Sequence, residues 1–288
     1  MTTPVVGTLP VSGATLHYEV RGQGPLLLLI PGGAGGAASF DGLADQLAAE
    51  YTVASYDPRG MSRSVLDDAE ARQTVAEHAE DALRMLDLLS PREPARVFGL
   101  SAGAIVALRL LADRPERLVR VVAHEPPVVD VLPDAAAQHA LFARVHEVFR
   151  AEGLMPAMAV FAAGMAKESA PDGPGGAAAE ARMELPPQAA ARAEQTMANL
   201  PFFVSRILPV FTAYAPDLDR LTALNDRLVV GCGQDSRGEL PYRAASFLAE
   251  RLGAEPLHFP GGHTGTTTHP EEFGALLGEV LRPPSSAR

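Results

Sequence analysis

The chain of 288 residues is 47% hydrophobic and 20% charged, with a formal net charge of -11. This is a globular composition, long enough for one sizeable core with an inserted subdomain, and disorder is not its default. The acidic balance argues against nucleic acid and anionic membrane surfaces as partners, since no phosphate-neutralising basic patch is available, and points to a small-molecule substrate.

The first residues, Met1 to Val6, lack the basic start and long apolar core of a secretory signal. Nowhere does an apolar run approach the ~20 residues of a membrane span, so a soluble, cytoplasmic protein is expected. Thr15 to Gly22 alternates faces as a strand, and Pro25 to Ile30 reads as a continuous apolar strand ending in the loop Pro31-Gly32-Gly33-Ala34-Gly35-Gly36. A helix from about Ser39 to Glu50, a strand over Tyr51 to Tyr56 and a turn over Asp57 to Ser64 come next. The segment Thr74 to Ser90 then places Val75, His78, Ala79, Ala82, Leu83, Leu86 and Leu89 on one helical face. Arg96 to Leu100 is a short buried strand, and Ala102 to Leu111 is an apolar helix stopped by Asp113-Arg114-Pro115. Leu118 to Ala123 is the next strand, and the alternation describes a parallel α/β sheet.

Between about Asp130 and Pro216 the strand signal vanishes, and helical segments rich in Ala, Met and Phe replace it, broken by Ser169 to Gly176. We read residues 131–215 as an inserted helical cap with a mobile loop, and residues 1–130 and 216–288 as the core. Alternation resumes with a strand from Arg227 to Cys232, a helix from Pro241 to Leu252, a strand from Glu255 to Phe259 and a helix from Pro270 to Leu281. The tail from Pro283 is expected to be disordered. Cys232 is the single cysteine, so no intrachain disulfide or thiolate metal cluster can form and a reducing compartment follows.

The pentapeptide Gly99-Leu100-Ser101-Ala102-Gly103, between a buried strand and a buried helix, has the form of a nucleophile elbow. A serine on so sharp a turn needs small neighbours two residues away on each side. Its hydroxyl needs an imidazole to take the proton and an acid to orient that imidazole. His263, in the glycine turn after the last predicted strand, is the best placed base. For the acid, Asp235 lies just past the end of the Arg227 to Cys232 strand, giving the chain order Ser, Asp, His. Glu125 or Asp130, after the preceding strand, could supply it instead, although Pro126 and Pro127 restrict how Glu125 turns. Oxyanion donors are expected from the N–H groups of Ala102 and Gly33, with Ala34 as neighbour. A phosphate cradle is the rival reading of the glycine loop, but the Gly-Lys-Ser/Thr ending is missing.

On these segments the chain resembles the α/β-hydrolase superfamily, in its serine-nucleophile branch with an inserted helical cap. The loop at Pro31-Gly32-Gly33, the turn Asp57-Pro58-Arg59-Gly60-Met61-Ser62-Arg63-Ser64, Gly99 to Gly103, and Gly262-His263 match the pattern in order and span most of the chain. The resemblance implies an eight-stranded, mostly parallel sheet, no metal and no organic cofactor, and structural rather than catalytic work for Asp57, Arg59 and Ser64. Two positions depart from the pattern: Pro31 stands where the family often has His, and Met61 where it often has Gly.

The expected function is a serine hydrolase cleaving an ester or lactone of a medium-sized, largely apolar molecule through an acyl-enzyme on Ser101. Carbon–carbon bond hydrolysis, thioester cleavage and peracid formation use the same triad, and a non-catalytic binder of the same fold is the alternative outside enzymology. A homodimer is left open. His124 reads as a buried, hydrogen-bonded imidazole at the cap junction, His78 as a helix-packing residue and His269 as a helix start. Met155, Met158, Phe161, Met165, Met197, Phe202, Phe203, Phe211 and Tyr214 give the cap a soft apolar surface, part of which would line the substrate pocket.

Overall fold

A computed structural model describes residues 3–166 and 187–282; the loop from Ser169 to Gly176 and the tail from Pro283 lie outside the described residues. The strands are β1 (Val5–Val11), β2 (Ala14–Arg21), β3 (Leu26–Ile30), β4 (Thr52–Tyr56), β5 (Val65–Leu66), β6 (Ala95–Leu100), β7 (Leu118–His124), β8 (Leu228–Gly233) and β9 (Leu257–Phe259). They form one nine-stranded sheet in the order β1-β2-β4-β3-β6-β7-β8-β9, with the two-residue β5 attached only to β2. The β1–β2 and β2–β4 pairs are antiparallel, and every pair from β4 to β9 is parallel.

The helices are α1 (Asp41–Leu47), α2 (Val75–Leu89), α3 (Ala102–Asp113), α4 (Ala135–Glu152), α5 (Leu154–Met165), α6 (Pro187–Phe202), α7 (Leu208–Phe211), α8 (Leu218–Thr222), α9 (Leu240–Arg251), α10 (Gly265–Thr268) and α11 (Pro270–Leu281). All five residues of β3 are buried because helices cover both faces of the sheet. Leu27 and Leu29 pack with α1 and α11, together with Phe98, Val122 and Phe273, while Leu26, Leu28 and Ile30 pack with α2, α3 and α9 on the other face. Local signals fix the helix ends: Thr74 Oγ1 accepts the Glu77 N–H at 3.1 Å and starts α2.

Strand order reverses at β3, which pairs β4 on one side and β6 on the other. The chain leaves β3 for α1 on one face and leaves β6 for α3 on the opposite face. Their C-terminal ends therefore part around a crevice, the place where open α/β sheets bind ligands. Ile30 is paired with Gly99 at that edge, so the loop Pro31 to Gly36 and the turn at Ser101 face each other across it.

Between β7 and β8 the described residues are helical, from α4 to α8, with a π-helical turn at Phe203–Ile207 joining α6 to α7. This insertion leaves from the same sheet edge as the crevice. Its residues Asn199, Phe202 and Phe203 reach back to the loops that follow β3 and β4.

Candidate active site

Ser101 has φ 53 and ψ -117, a left-handed backbone that a non-glycine residue adopts only when its surroundings enforce it. Both glycines of the pentapeptide are sterically required. A Cβ on Gly99 would lie 2.3 Å from the Gly103 carbonyl oxygen, and one on Gly103 would lie 2.2 Å from that of Ile30. The Ser101 N–H donates to the His124 carbonyl at 2.9 Å, which ties the turn to the end of β7. Ala102 opens α3, so its N–H has no acceptor within the helix and points to where an anion is welcome.

The acid that meets the imidazole is Glu125, one residue beyond β7, and not Asp235. Glu125 Oε2 accepts from His263 Nδ1 at 2.6 Å. Glu125 Oε1 accepts the Gly233 N–H at 2.8 Å and the Ser236 hydroxyl, so both carboxylate oxygens are occupied. The side chain is fully buried. Burial alone would raise its pKa; the hydrogen bond and charge of His263, with His124 and the Ser236 hydroxyl, outweigh it and hold the carboxyl below its ordinary value.

Asp235 is exposed and serves this arrangement through its backbone, its N–H donating to the Gly261 carbonyl at 3.0 Å. Together with the Gln234 N–H on Phe259 O at 2.9 Å, that bond pins the loop carrying His263. Asp130 is exposed as well and pairs with His139 at 2.5 Å.

Glu125 reaches this position at a cost. Its φ is 48 and Pro126 follows, a combination that proline normally disfavours, and its backbone is held by the Glu125 N–H bond to Gly231 O at 2.9 Å. Among the described residues Ser62, Ser101 and Glu125 are the non-glycine residues with positive φ.

His124 is fully buried among Phe98, Phe259 and Phe273, with ring centroids 5.2 to 6.4 Å apart. Neither ring nitrogen completes a hydrogen bond of standard geometry; the expected hydrogen bonding reduces to an interaction with the Gly262 backbone. Burial lowers its pKa to about 4, so the ring is neutral. Cys232 is likewise buried, and burial pushes its thiol up to about 12.

On the oxyanion side, Gly35 N–H donates to Gly32 O at 2.9 Å and closes a turn with Gly33 at its tip. A Cβ on Gly32 would lie 3.4 Å from Ser101 Cβ, which measures how close this loop comes to the serine. A Cβ on Gly33 would meet the Phe203 ring at 2.1 Å, so the insertion covers the loop directly. Asp57 braces the neighbourhood: Oδ1 accepts the Ala37 N–H at 2.8 Å and Oδ2 accepts Arg63 Nε at 2.7 Å. Arg59 forms a buried bidentate pair with Asp81, and Ser64 Oγ donates to Asp57 O at 2.6 Å. Met61 needs no glycine's freedom, because the left-handed positions of its turn are Gly60 and Ser62.

A cleft of about 270 Å³ runs beside Gly33 and Ala102, walled by Met61, His78, Val106, Ile207 and Phe211. Within it only about 10 Å³ is open to the centre of a water molecule, room for roughly one water. Phe203 and Phe211 lie at the site as expected, whereas Met155 and Met197 are 67% and 51% exposed and do not line the cleft. His78 is buried against Phe211, and burial depresses its pKa to about 3. Asn199, missed from the sequence, bonds both site loops; one polar residue among several in an Ala-rich helix carries no signal of that.

Comparisons with known proteins bear on the fold and the family. Residues 25–167 match the model for the alpha/beta hydrolase fold. The uncharacterized hydrolase YraK of Bacillus subtilis (strain 168) is 34% identical over 282 residues, covering 96% of this chain and 95% of its own. The chain belongs to the α/β-hydrolase family, and it is a hydrolase. A zearalenone hydrolase of Bionectria ochroleuca is 35% identical over 119 residues, 40% of this chain and 45% of its own. Among solved structures, a thermophilic esterase from Thermogutta terrifontis superposes with a TM-score of 0.72 at 20% identity, covering 98% of each chain, a likeness of fold.

Proposed function

We propose that the protein is a serine hydrolase that cleaves an ester or lactone through an acyl-enzyme on Ser101. The observation that carries this reading is the bond from His263 Nδ1 to a buried Glu125 whose other oxygen is already engaged. An imidazole held this way keeps its proton on Nδ1 and offers Nε2 as a base. Ser101 Oγ attacks the carbonyl carbon as His263 Nε2 takes its proton, and the Gly33 and Ala102 N–H groups receive the oxyanion. His263 then protonates the leaving oxygen, and the imidazolium is stabilised by Glu125. Water activated by His263 attacks the acyl-enzyme, releasing the acid and restoring Ser101.

The cleft is lined by apolar side chains apart from Tyr56 and His78, which favours an uncharged acyl group. With room for about one water, the cleft admits a medium-sized acyl group only if its walls move. The test is a panel of esters and lactones with Ser101→Ala as control, alongside labelling by a fluorophosphonate serine probe. Turnover and labelling by the wild type, both lost in a folded Ser101→Ala, are expected. Turnover undiminished in Ser101→Ala would overturn the reading.

A further inference from the structure

Asn199 lies near the end of α6 and is 5% exposed. Its Nδ2 donates to the Ala34 carbonyl at 3.0 Å and to Ser62 Oγ at 2.9 Å, and its Oδ1 accepts the Ser62 N–H at 2.8 Å. All three bonds run from the insertion to the core, and they end on the two loops that frame the oxyanion side of the crevice.

The loop they reach is intrinsically soft. Gly32, Gly33, Gly35 and Gly36 each lack a Cβ, so local sterics leave the backbone many conformations. The Gly35–Gly32 bond closes the turn but leaves its orientation open. A donor on the Ala34 carbonyl fixes the Ala34–Gly35 peptide plane; the N–H of that same peptide holds the Gly32 carbonyl, which shares its plane with the Gly33 N–H, so the direction of the Gly33 N–H is set through this bond. Ser62, the other anchor, sits at φ 54, and Asn199 engages both its N–H and its hydroxyl. The Phe203 ring closes over Gly33 from the same segment, at the first residue of the π-helical turn that follows Pro201.

We propose that Asn199 is a positioning residue for the hydrolytic reaction: it holds the Gly33 N–H on the developing oxyanion by pinning the glycine loop to the insertion. This rests on the reading of Ser101 as nucleophile and Gly33 as oxyanion donor. A donor aimed at the oxyanion acts on the transition state more than on the bound substrate, so its misplacement lowers kcat and spares KM.

The experiment compares Asn199→Ala, Asn199→Asp and Arg206→Ala on p-nitrophenyl acetate. Asn199→Asp keeps the volume but replaces the amide donor with a carboxylate facing the Ala34 carbonyl. Arg206→Ala cuts a different tie from the insertion to the core, the ion pair with Glu70. Both Asn199 variants are expected to lose about 10–100-fold in kcat with KM within about threefold, and Arg206→Ala to stay within about twofold in both. Amide hydrogen exchange at residues 31–36 and 60–64 is expected to quicken in the Asn199 variants alone. A kcat for Asn199→Asp within about twofold of wild type, or an equal loss in Arg206→Ala, overturns the inference. Wild-type protein without Ser101-dependent turnover overturns the hydrolase reading instead; unchanged exchange at residues 31–36 then overturns the clamp as well.

Discussion

Replacing Glu125 with Gln tests the triad at the point where sequence and structure part. The side chain keeps its shape but has one oxygen to serve three donors: His263 Nδ1, the Gly233 N–H and the Ser236 hydroxyl. If the amide oxygen stays with Gly233 and Ser236, the NH₂ group faces Nδ1, which must then accept a hydrogen bond and carry no proton. The imidazole is left with its proton on Nε2 and cannot take one from Ser101. The opposite orientation sets an NH₂ group against the Gly233 N–H in a fully buried site, which costs about 1–3 kcal/mol, so the unproductive tautomer prevails. The expected loss in kcat is about 10⁴-fold, or roughly 5 kcal/mol of transition-state stabilisation. The assay is steady-state hydrolysis of p-nitrophenyl acetate, with circular dichroism to verify folding. Asp235→Asn, at an exposed side chain, is expected to stay within about threefold of wild type. Glu125 is refuted as the triad acid if Asp235→Asn is the more damaging change, or if Glu125→Gln retains more than about a tenth of wild-type kcat.

Gly103→Ala would set a Cβ 2.2 Å from Ile30 O and 2.4 Å from Pro31 O, both backbone atoms. It is expected to cost about 3 kcal/mol or more by urea denaturation, whereas Gly262→Ala, whose nearest new contact is 3.6 Å, should cost less than about 1 kcal/mol. Acidification should destabilise the protein through His78 and His124, whose folded pKa values are about 3 and about 4. The unfolded chain takes up their protons near pH 6.5, so their contribution is fully present above that pH and falls away as pH drops towards the folded values. At pH 5 the pair together cost roughly 4 kcal/mol, and His124→Phe should flatten the fall in Tm between pH 7 and 5; an unchanged slope would refute the assignment.

The local parts of the site were legible because their signals are local. The elbow announces Ser101 through the glycines that its turn demands, and His263 follows from a glycine turn after a strand. Most strands were also readable, because burial on both faces makes them continuous apolar runs: Arg96 to Leu100 was expected and Ala95–Leu100 observed. The edge strand β1 carries Gly7 and Pro10 and is largely exposed, so it leaves no such pattern.

The acid is a tertiary choice. Glu125 and Asp235 both follow parallel neighbouring strands at the same sheet edge, and chain order cannot tell which carboxylate turns inwards. The prolines after Glu125 argue for an extended backbone, yet the hydrogen bonds that bury its carboxylate overcome that preference. Asn199 was out of reach for a similar reason, since its partners lie 137 and 165 residues away in sequence.

The left-handed backbones of Ser62, Ser101 and Glu125 bear on any effort to make this protein more robust. Such positions cost of order 1–3 kcal/mol each, and glycine would relieve that strain. A selection for thermal tolerance alone would therefore be drawn to these three sites. At Ser101 and Glu125 the gain would remove the nucleophile we propose or its acid; at Ser62 it would strip the hydroxyl from Asn199. Durability and turnover draw here on the same residues, so stabilising changes are better sought elsewhere, at the exposed edge of the sheet.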